Sequence, residues 1–282
     1  MVLFDDRAEA QTVKLTLAFD VYNKAEWIAD LLHSWLGNLS GRHEVEAIVV
    51  FDASRDDSPA IAREVLAQYD VAHAFLYADD IYEIRCNNMA LAQADGDVIV
   101  FVQDDNWMHD RSYDETLLQV LERTPDVGAV GLLAGLQLMP GLRWRRIEVD
   151  RPHKGEQFAG AQGQPLAVYA VDAINRPFAI RVELLRSLGG LDEAYCPTSY
   201  DDLNLSIELL KAGYTNLYVP FDLLNTGASK DSMGEQSIQR HYGRGHELCR
   251  RRHQAYVDRM ESMVRPLYPL QEREGRLALC VT

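Results

Sequence analysis

The chain has 282 residues, is 47% hydrophobic and carries a formal net charge of −15. That length and apolar content support a packed core and argue against disorder. So acidic a surface makes nucleic acid a poor partner, because phosphate contacts need a basic face.

Four cysteines (Cys86, Cys196, Cys249, Cys280) lie far apart and show no metal-ligand spacing. They read as reduced thiols of a cytoplasmic protein. The opening stretch, Met1 to Gln11, is too acidic and too short in apolar run for a signal peptide. No stretch approaches the roughly 18 apolar residues of a membrane span, so no integral membrane segment is expected.

Lys14 to Phe19 (KLTLAF) predicts a first strand. Asn23 with Glu26 has the spacing of a capping box opening a helix. Trp27, Leu31, Trp35 and Ile28, Leu32, Leu36 form two adjoining stripes on that helix, read as core ahead of a ligand box. Val45 to Phe51 is a second strand, and Ser58-Pro59 opens a second helix. Val71 to Tyr77 is a third strand, and Asp80 with Glu83 predicts another capping box. A helix then runs to Gly96.

Asp97 to Asn106 (DVIVFVQDDN) follows: five β-branched or aromatic residues ending in two adjacent acids, Asp104 and Asp105. Such a run fits a strand buried on both faces. Ligands of open α/β sheets bind beyond the carboxyl ends of these strands. Two acids there suit a hard cation, and also a solvated turn or helix cap. Strand and helix alternate repeatedly in the first 106 residues, the pattern of a doubly wound, mostly parallel sheet.

Tyr113 to Arg123 predicts a helix and Val127 to Leu133 a strand. Arg143 to Gln164 combines a basic cluster (Arg143, Arg145, Arg146) with a glycine-rich loop, read as a lid, a binding loop or a plain insertion. Tyr169 to Asn175 and Phe178 to Ile180 return to strand. Val182 to Leu188 and Leu203 to Ala212 are helices, the second preceded by Asp201-Asp202; Thr215 to Val219 is a strand. From Gly234 the chain turns polar and is expected to be a helical extension.

Four stretches match one family pattern in order. Val21-Tyr22-Asn23-Lys24-Ala25-Glu26 resembles T-Y-N-R-x-E, and Val49 to Asp56 resembles V-V-D-D-G-S-T-D. Asn88-Met89-Ala90-Leu91 with Ala94 to Asp97 resembles N-x-G-L-x-x-A-x-G-D, and Val102 to Asp105 stands where the family has L-D-x-D. Gly189 to Glu193, Asp201 to Leu205 and Ala212 to Tyr214 resemble G-G-F-D-E, E-D-x-D-L and A-G-Y. The chain thus resembles a family 2 glycosyltransferase of GT-A fold across residues 12–229.

That resemblance implies a single GT-A catalytic domain over residues 1–230, a nucleotide-binding half at 12–106, an acceptor half at 107–230 and an extension over 231–282. It implies a metal-dependent, inverting transfer from a nucleotide-diphosphate sugar, UDP or dTDP favoured, to a hydroxyl of a saccharide or lipid-linked saccharide. Surface polysaccharide or glycoconjugate synthesis is the setting it suggests. The cofactor implied is Mn²⁺ or Mg²⁺. Asp105 and Asn225 are the metal residues it points to, Asn225 lying where the family often has histidine. Val21, Asn23, Asp52, Asn88, Gln103 and Asp104 are the nucleotide residues. Asp52 would accept from a uracil or thymine imide, or else be a turn acid beside Ser54. Asp202 would be the general base and Asp201 its orienting neighbour, though either acid could instead cap the following helix.

The chain departs from the pattern in Gln103 for the first acid of D-x-D, Ala53 for a glycine, Asp201 for glutamate, and Asn225. His241 and His246 could replace the missing histidine or be surface residues. From another class, a non-catalytic module that binds sugar nucleotide or scaffolds a complex fits the same departures. A homo-oligomer is compatible with the sequence.

Overall fold

The computed structural model describes residues 13–148, 166–226, 235–273 and 276–279. Residues Met1 to Gln11, most of the glycine-rich loop and Cys280 lie outside them, and so do the expectations placed there.

The first half alternates as the apolar pattern demands: β1 (Leu15–Val21), α1 (Ile28–Leu36), β2 (Val45–Asp52), α2 (Ser58–Leu66), β3 (Ala72–Ala78), α3 (Tyr82–Gln93) and β4 (Val98–Val102). After β4 come β5 (Asn106–Met108), α4 (Tyr113–Arg123), β6 (Val127–Gly131), β7 (Gly135–Met139) and β8 (Arg143–Ile147). Then follow β9 (Leu166–Val171), β10 (Ala173–Ile174), β11 (Phe178–Arg181), α5 (Val182–Ser187), α6 (Asp201–Lys211), β12 (Thr215–Tyr218) and β13 (Leu223–Asn225). The chain ends in α7 (Glu235–Val257), β14 (Arg265–Arg273) and β15 (Arg276–Leu279).

The central sheet has ten strands in the order β15-β14-β9-β12-β6-β11-β4-β1-β2-β3. β4, β1, β2 and β3 run parallel, as short crossovers through helices require. β4 pairs antiparallel with β11 on its other side. Side chains alternate faces. Val98, Val100 and Val102 join the core under α1, α2 and α4, while Ile99 and Phe101 join the one under α3, α5 and α6. All five are buried, the arrangement expected of a strand covered on both sides.

Three local expectations change. Asn23 does not cap α1: its backbone is left-handed, φ 50°, its side chain accepts from Arg55 N at 2.8 Å, and α1 starts only at Ile28. The N-cap position of α3 is Ile81, one residue past Asp80, and Asp52 of β2 accepts from Ile81 N and Tyr82 N. Arg143 to Ile147 is no loop but the outer strand of a small sheet, β10-β7-β8.

The C-terminal segment is not helical throughout. α7 is, but β14 pairs with β9 and so extends the central sheet. β14 carries Pro266 and Pro269, and its register shifts between Pro266 and Tyr268, which hides the strand from a periodicity reading. The buried Asp172 fastens this segment, accepting from Leu138 N at 2.8 Å, Ser262 Oγ at 2.8 Å and Met263 N at 2.6 Å. No helix among the described residues is long and apolar enough to cross a membrane. Among those residues Cys86, Cys196 and Cys249 are free thiols.

His253 docks α7 on α6. Lys211 Nζ meets its Nδ1 at 2.8 Å, which leaves Nε2–H to donate to Asn204 Oδ1 at 2.9 Å. Burial, aided by the Lys211 charge, pushes the imidazole down to about 4. The unfolded chain takes up that proton near pH ~6.5, so this contribution to stability is full above that pH and is lost as pH falls toward the folded value. Chemical unfolding of wild type and His253→Gln at neutral pH and near pH ~5 should show the larger acid-side loss in wild type; parallel losses would mean that His253 is not held neutral.

Candidate active site

The loops at the carboxyl ends of β1 and β2 lock onto each other. Ser54 Oγ donates to Val21 O at 3.0 Å and accepts from Asn23 N at 3.0 Å. Lys24 N donates to Ser58 Oγ at 2.7 Å, and Ala25 N to Asp56 Oδ2 at 2.9 Å. Burial pushes the Asp56 carboxyl up, but its hydrogen bonds from Ser58 and Ala25 outweigh that and hold it below its usual range. Val21 is fully buried, so its contribution here is its carbonyl. Asn23 and Val21 therefore shape the rim of the site by joining two loops.

Asp52 is almost fully buried, and its two oxygens accept from Ile81 N at 2.9 Å and Tyr82 N at 2.7 Å. It is the cap of α3, supplied from another element. Asn88 is also committed: its amide donates to Leu191 O at 2.8 Å and its oxygen accepts from Leu191 N at 2.8 Å. Gly190, at φ 86°, lies so close that a Cβ there would meet Asn88 Oδ1 at 2.7 Å. Asn88 thus clamps the Gly189-Gly190-Leu191 turn to α3. It lines a depression with Gly189, Gly190 and Leu191, apart from the cleft that holds Gln103 and Asp202.

Asp104 and Asp105 differ in surroundings. Lys24, 1% exposed, sits 3.2 Å from Asp104 and 5.4 Å from the centre of the Trp27 ring. Burial pushes the Asp104 carboxyl up to about 7, against the pull of Lys24. Asp105 is raised as well, by burial, with Lys24 again opposing. Asp105 Oδ1 accepts from the Asn106 amide at 2.5 Å, and its carbonyl accepts from Thr226 N at 3.0 Å. The antiparallel β5–β13 pair sets Asn225 opposite Asn106, with Asn225 Nδ2 donating to Asn106 Oδ1 at 3.2 Å. The two predicted metal residues are therefore neighbours across a strand pair.

These residues fit a hard divalent cation. The donors are oxygens, and burial makes a nearby positive charge favourable to Asp104 and Asp105. Among the described residues no group of three or more His, Cys, Asp or Glu side chains forms a cage. Mg²⁺-like ions need none, since one or two carboxylates suffice when phosphates complete the shell.

Gln103 Nε2 lies 3.3 Å from Glu83 Oε1, so α3 brings a carboxylate to the place where the D-x-D acid is missing. Arg176 Nε is 3.3 Å from the same Glu83 oxygen, and its other face holds the fully buried Asp201, with Nη1 donating to Oδ1 at 3.1 Å. Asp202 accepts from Asn175 Nδ2 at 3.2 Å and from Leu203 N at 2.7 Å. Burial, then the Asp201 charge, push the Asp202 carboxyl up to about 6. α6 starts at Asp201, with left-handed Tyr200 at the N-cap position, so neither acid is its N-cap residue. Gln103, Glu83, Arg176, Asp201 and Asp202 all line one cleft of about 280 Å³.

Glu83, Arg176, Asn175 and Lys24 escape a reading by motif. Lys24 stands at the basic position of T-Y-N-R-x-E. Arg176, alone between the apolar pairs Ala173-Ile174 and Phe178-Ala179, is a charge in a buried run, the pattern of a paired ion. His246 packs on Tyr200, with ring centres 5.7 Å apart. Arg176→Leu should destabilise the fold by about 3–5 kcal/mol in urea unfolding, since it strands the buried Asp201 and the half-buried Glu83. A loss near zero would mean that water reaches them.

The family model described as glycosyl transferase family 2 matches residues 17–189. Among solved structures, the chain resembles a mannosyltransferase from Pyrobaculum calidifontis in complex with GDP-Man and Mn²⁺, at TM-score 0.57 and 21% identity over 75% of this chain and 56% of that one. It resembles GalNAc-T7 with UDP, GalNAc and Mn²⁺ at TM-score 0.62 and 12% identity, over 75% and 43%. It also resembles S. aureus TarS 1-349 in complex with UDP-GlcNAc at TM-score 0.52 and 16% identity, over 80% and 60%. At such identities the likeness is one of fold, and the chain spans about half the length of the first two. Curated protein sequences offer no match. The architecture is the GT-A arrangement, and since the family match covers more than half of its residues the chain belongs to glycosyl transferase family 2.

Proposed function

We propose that this glycosyltransferase moves a sugar from a nucleotide diphosphate to an acceptor hydroxyl, with inversion and with Mn²⁺ or Mg²⁺ bound. The observation that carries the reading is that Gln103, beside the Asp104–Asp105 pair, and Asp202 open into one cleft. In-line displacement needs the leaving diphosphate and the base on opposite sides of one reacting carbon.

Asp105, with Asn225 alongside, would hold the metal, and Asp104 would stay paired with Lys24. A divalent ion bound there neutralises charge on the departing diphosphate. Gln103 offers a neutral amide to a ribose hydroxyl while it keeps its contact with Glu83. Asp202 takes the proton from the attacking hydroxyl; its raised pKa makes it a stronger base than an ordinary aspartate. Arg176 and Asp201 act on Asp202 from behind, as positioning groups. The uracil or thymine preference rests on Asp52, whose oxygens each accept one α3 amide and keep further lone pairs for an imide N–H. Uridine and thymidine donors are favoured, guanosine donors belong in the same screen, and the acceptor assignment is a saccharide, free or lipid-linked.

Asp105→Ala should abolish the Mn²⁺-dependent rise in melting temperature given by UDP or GDP. A full rise in the variant would remove Asp105 from the metal site. Asp202→Asn should keep that rise and lower transfer by about 10²–10⁴-fold, the usual size of general-base catalysis. Near-normal turnover would dismiss Asp202 as the base. Because the base must be ionised, wild-type kcat/KM should fall on the acid side with a midpoint at about 6; a profile flat from pH ~5 to ~8 would contradict the assignment.

A further inference from the structure

Among the described residues, the large hydrophobic side chains left exposed are Tyr77, Trp144, Leu188 and Tyr242. Trp144, 42% exposed, and Tyr242, 49% exposed, both line the cleft that holds Asp202. They arrive from distant parts of the chain: Trp144 from β8 of the small sheet, Tyr242 from α7. Tyr242 lies beyond the residues that match the family model.

Tyr200 joins them. Its ring centre is 5.7 Å from that of Trp144 and 6.3 Å from that of Tyr242, both at steep angles. Two features are spent on placing this ring. Tyr200 adopts a left-handed backbone, φ 70°, an unfavourable conformation for a residue of its type. Gly245 gives α7 its close approach, since a Cβ there would meet Tyr200 Cδ2 at 3.0 Å and Ser199 O at 3.2 Å. The ring is thereby fixed two residues before Asp202. Burial is not the reason for Trp144 and Tyr242, which keep much of their surface in water. Asn175, Thr198, Ser199 and Arg146 supply polar groups around the same opening.

Aromatic walls with a few polar groups are the usual construction of a ligand cleft. A sugar ring offers matching chemistry, with C–H faces that pack on aromatic rings and hydroxyls at its edge. We propose that Trp144, Tyr200 and Tyr242 form the acceptor subsite, stacking a sugar ring of a saccharide acceptor so that its hydroxyl faces Asp202. This rests on the glycosyl-transfer reading above, and it makes α7 part of substrate selection.

The test uses the full chain, an array of defined oligosaccharides, and UDP or GDP with Mn²⁺. Wild type should capture a subset of the saccharides. Trp144→Ala and Tyr242→Ala should each weaken that capture by about tenfold or more, while Trp144→Phe keeps most of it. The rise in melting temperature given by nucleotide and Mn²⁺ should be the same in all of them, which also checks that each variant folds. Capture by both alanine variants at wild-type strength would overturn the subsite. So would a wild type that captures no saccharide, or that takes only unglycosylated protein or lipid alcohols. Failure of nucleotide binding in wild type would strike the glycosyl-transfer reading instead, and saccharide capture would still decide the subsite.

Discussion

The guanidinium of Arg176 is the interaction on which the site depends. It is 5% exposed, between Glu83 of α3 and Asp201 of α6. A lone charge at that depth would be strongly unfavourable, and each carboxylate alone would be too. Together they tie α3 to α6 on one face of the sheet. Its planar fork presents donors to two acids in fixed directions. Gln103 and Asp202 stand at the two ends of this chain of contacts, so their separation is set by ion pairs between helices and not by loops.

A second constraint holds the nucleotide side. Polar groups at the ends of β1 and β2 satisfy each other's backbone amides, and Asp52 reaches over to cap α3. Several side chains that the motifs point to thus also hold backbone in place. Asn88 is the same case, clamped to the Leu191 backbone. Such residues are fixed by the fold itself, whatever else they meet.

This explains what could be read from the sequence. The buried run Val98 to Val102 and the alternation before it announce the parallel half of the sheet, because period and burial are local properties. Helix α4 was legible from end to end. The antiparallel half was harder: β11 inserts between β4 and β6, a long-range pairing that no local pattern encodes. β8 and β14 were missed for a similar reason, since their arginines and prolines look like loop or helix until a partner strand is supplied. In the site, acids adjacent in sequence were found, while Glu83, Arg176 and Asn175 are made neighbours only by folding. The starts of α1 and α3 shift from the expected Asn23 and Asp80 because distant segments supply partners there: Ser54 takes Asn23 N, and Asp52 takes the Ile81 and Tyr82 amides.

Gln103 becomes intelligible on the same grounds. An aspartate there would add a carboxylate beside Glu83, in a region where Asp20, Asp52 and Asp104 already crowd. Burial and these neighbours hold Asp20 well above its usual range, so the cost of one more charge is visible in the groups already present. A glutamine instead donates an N–H to Glu83 and removes one negative charge. The acid is thus relocated rather than lost: α3 brings it in as Glu83, where Arg176 fixes it. On this view the substitution at 103 and the arginine at 176 belong together. The departure from the D-x-D pattern thus goes together with the way this chain holds Glu83 beside Gln103.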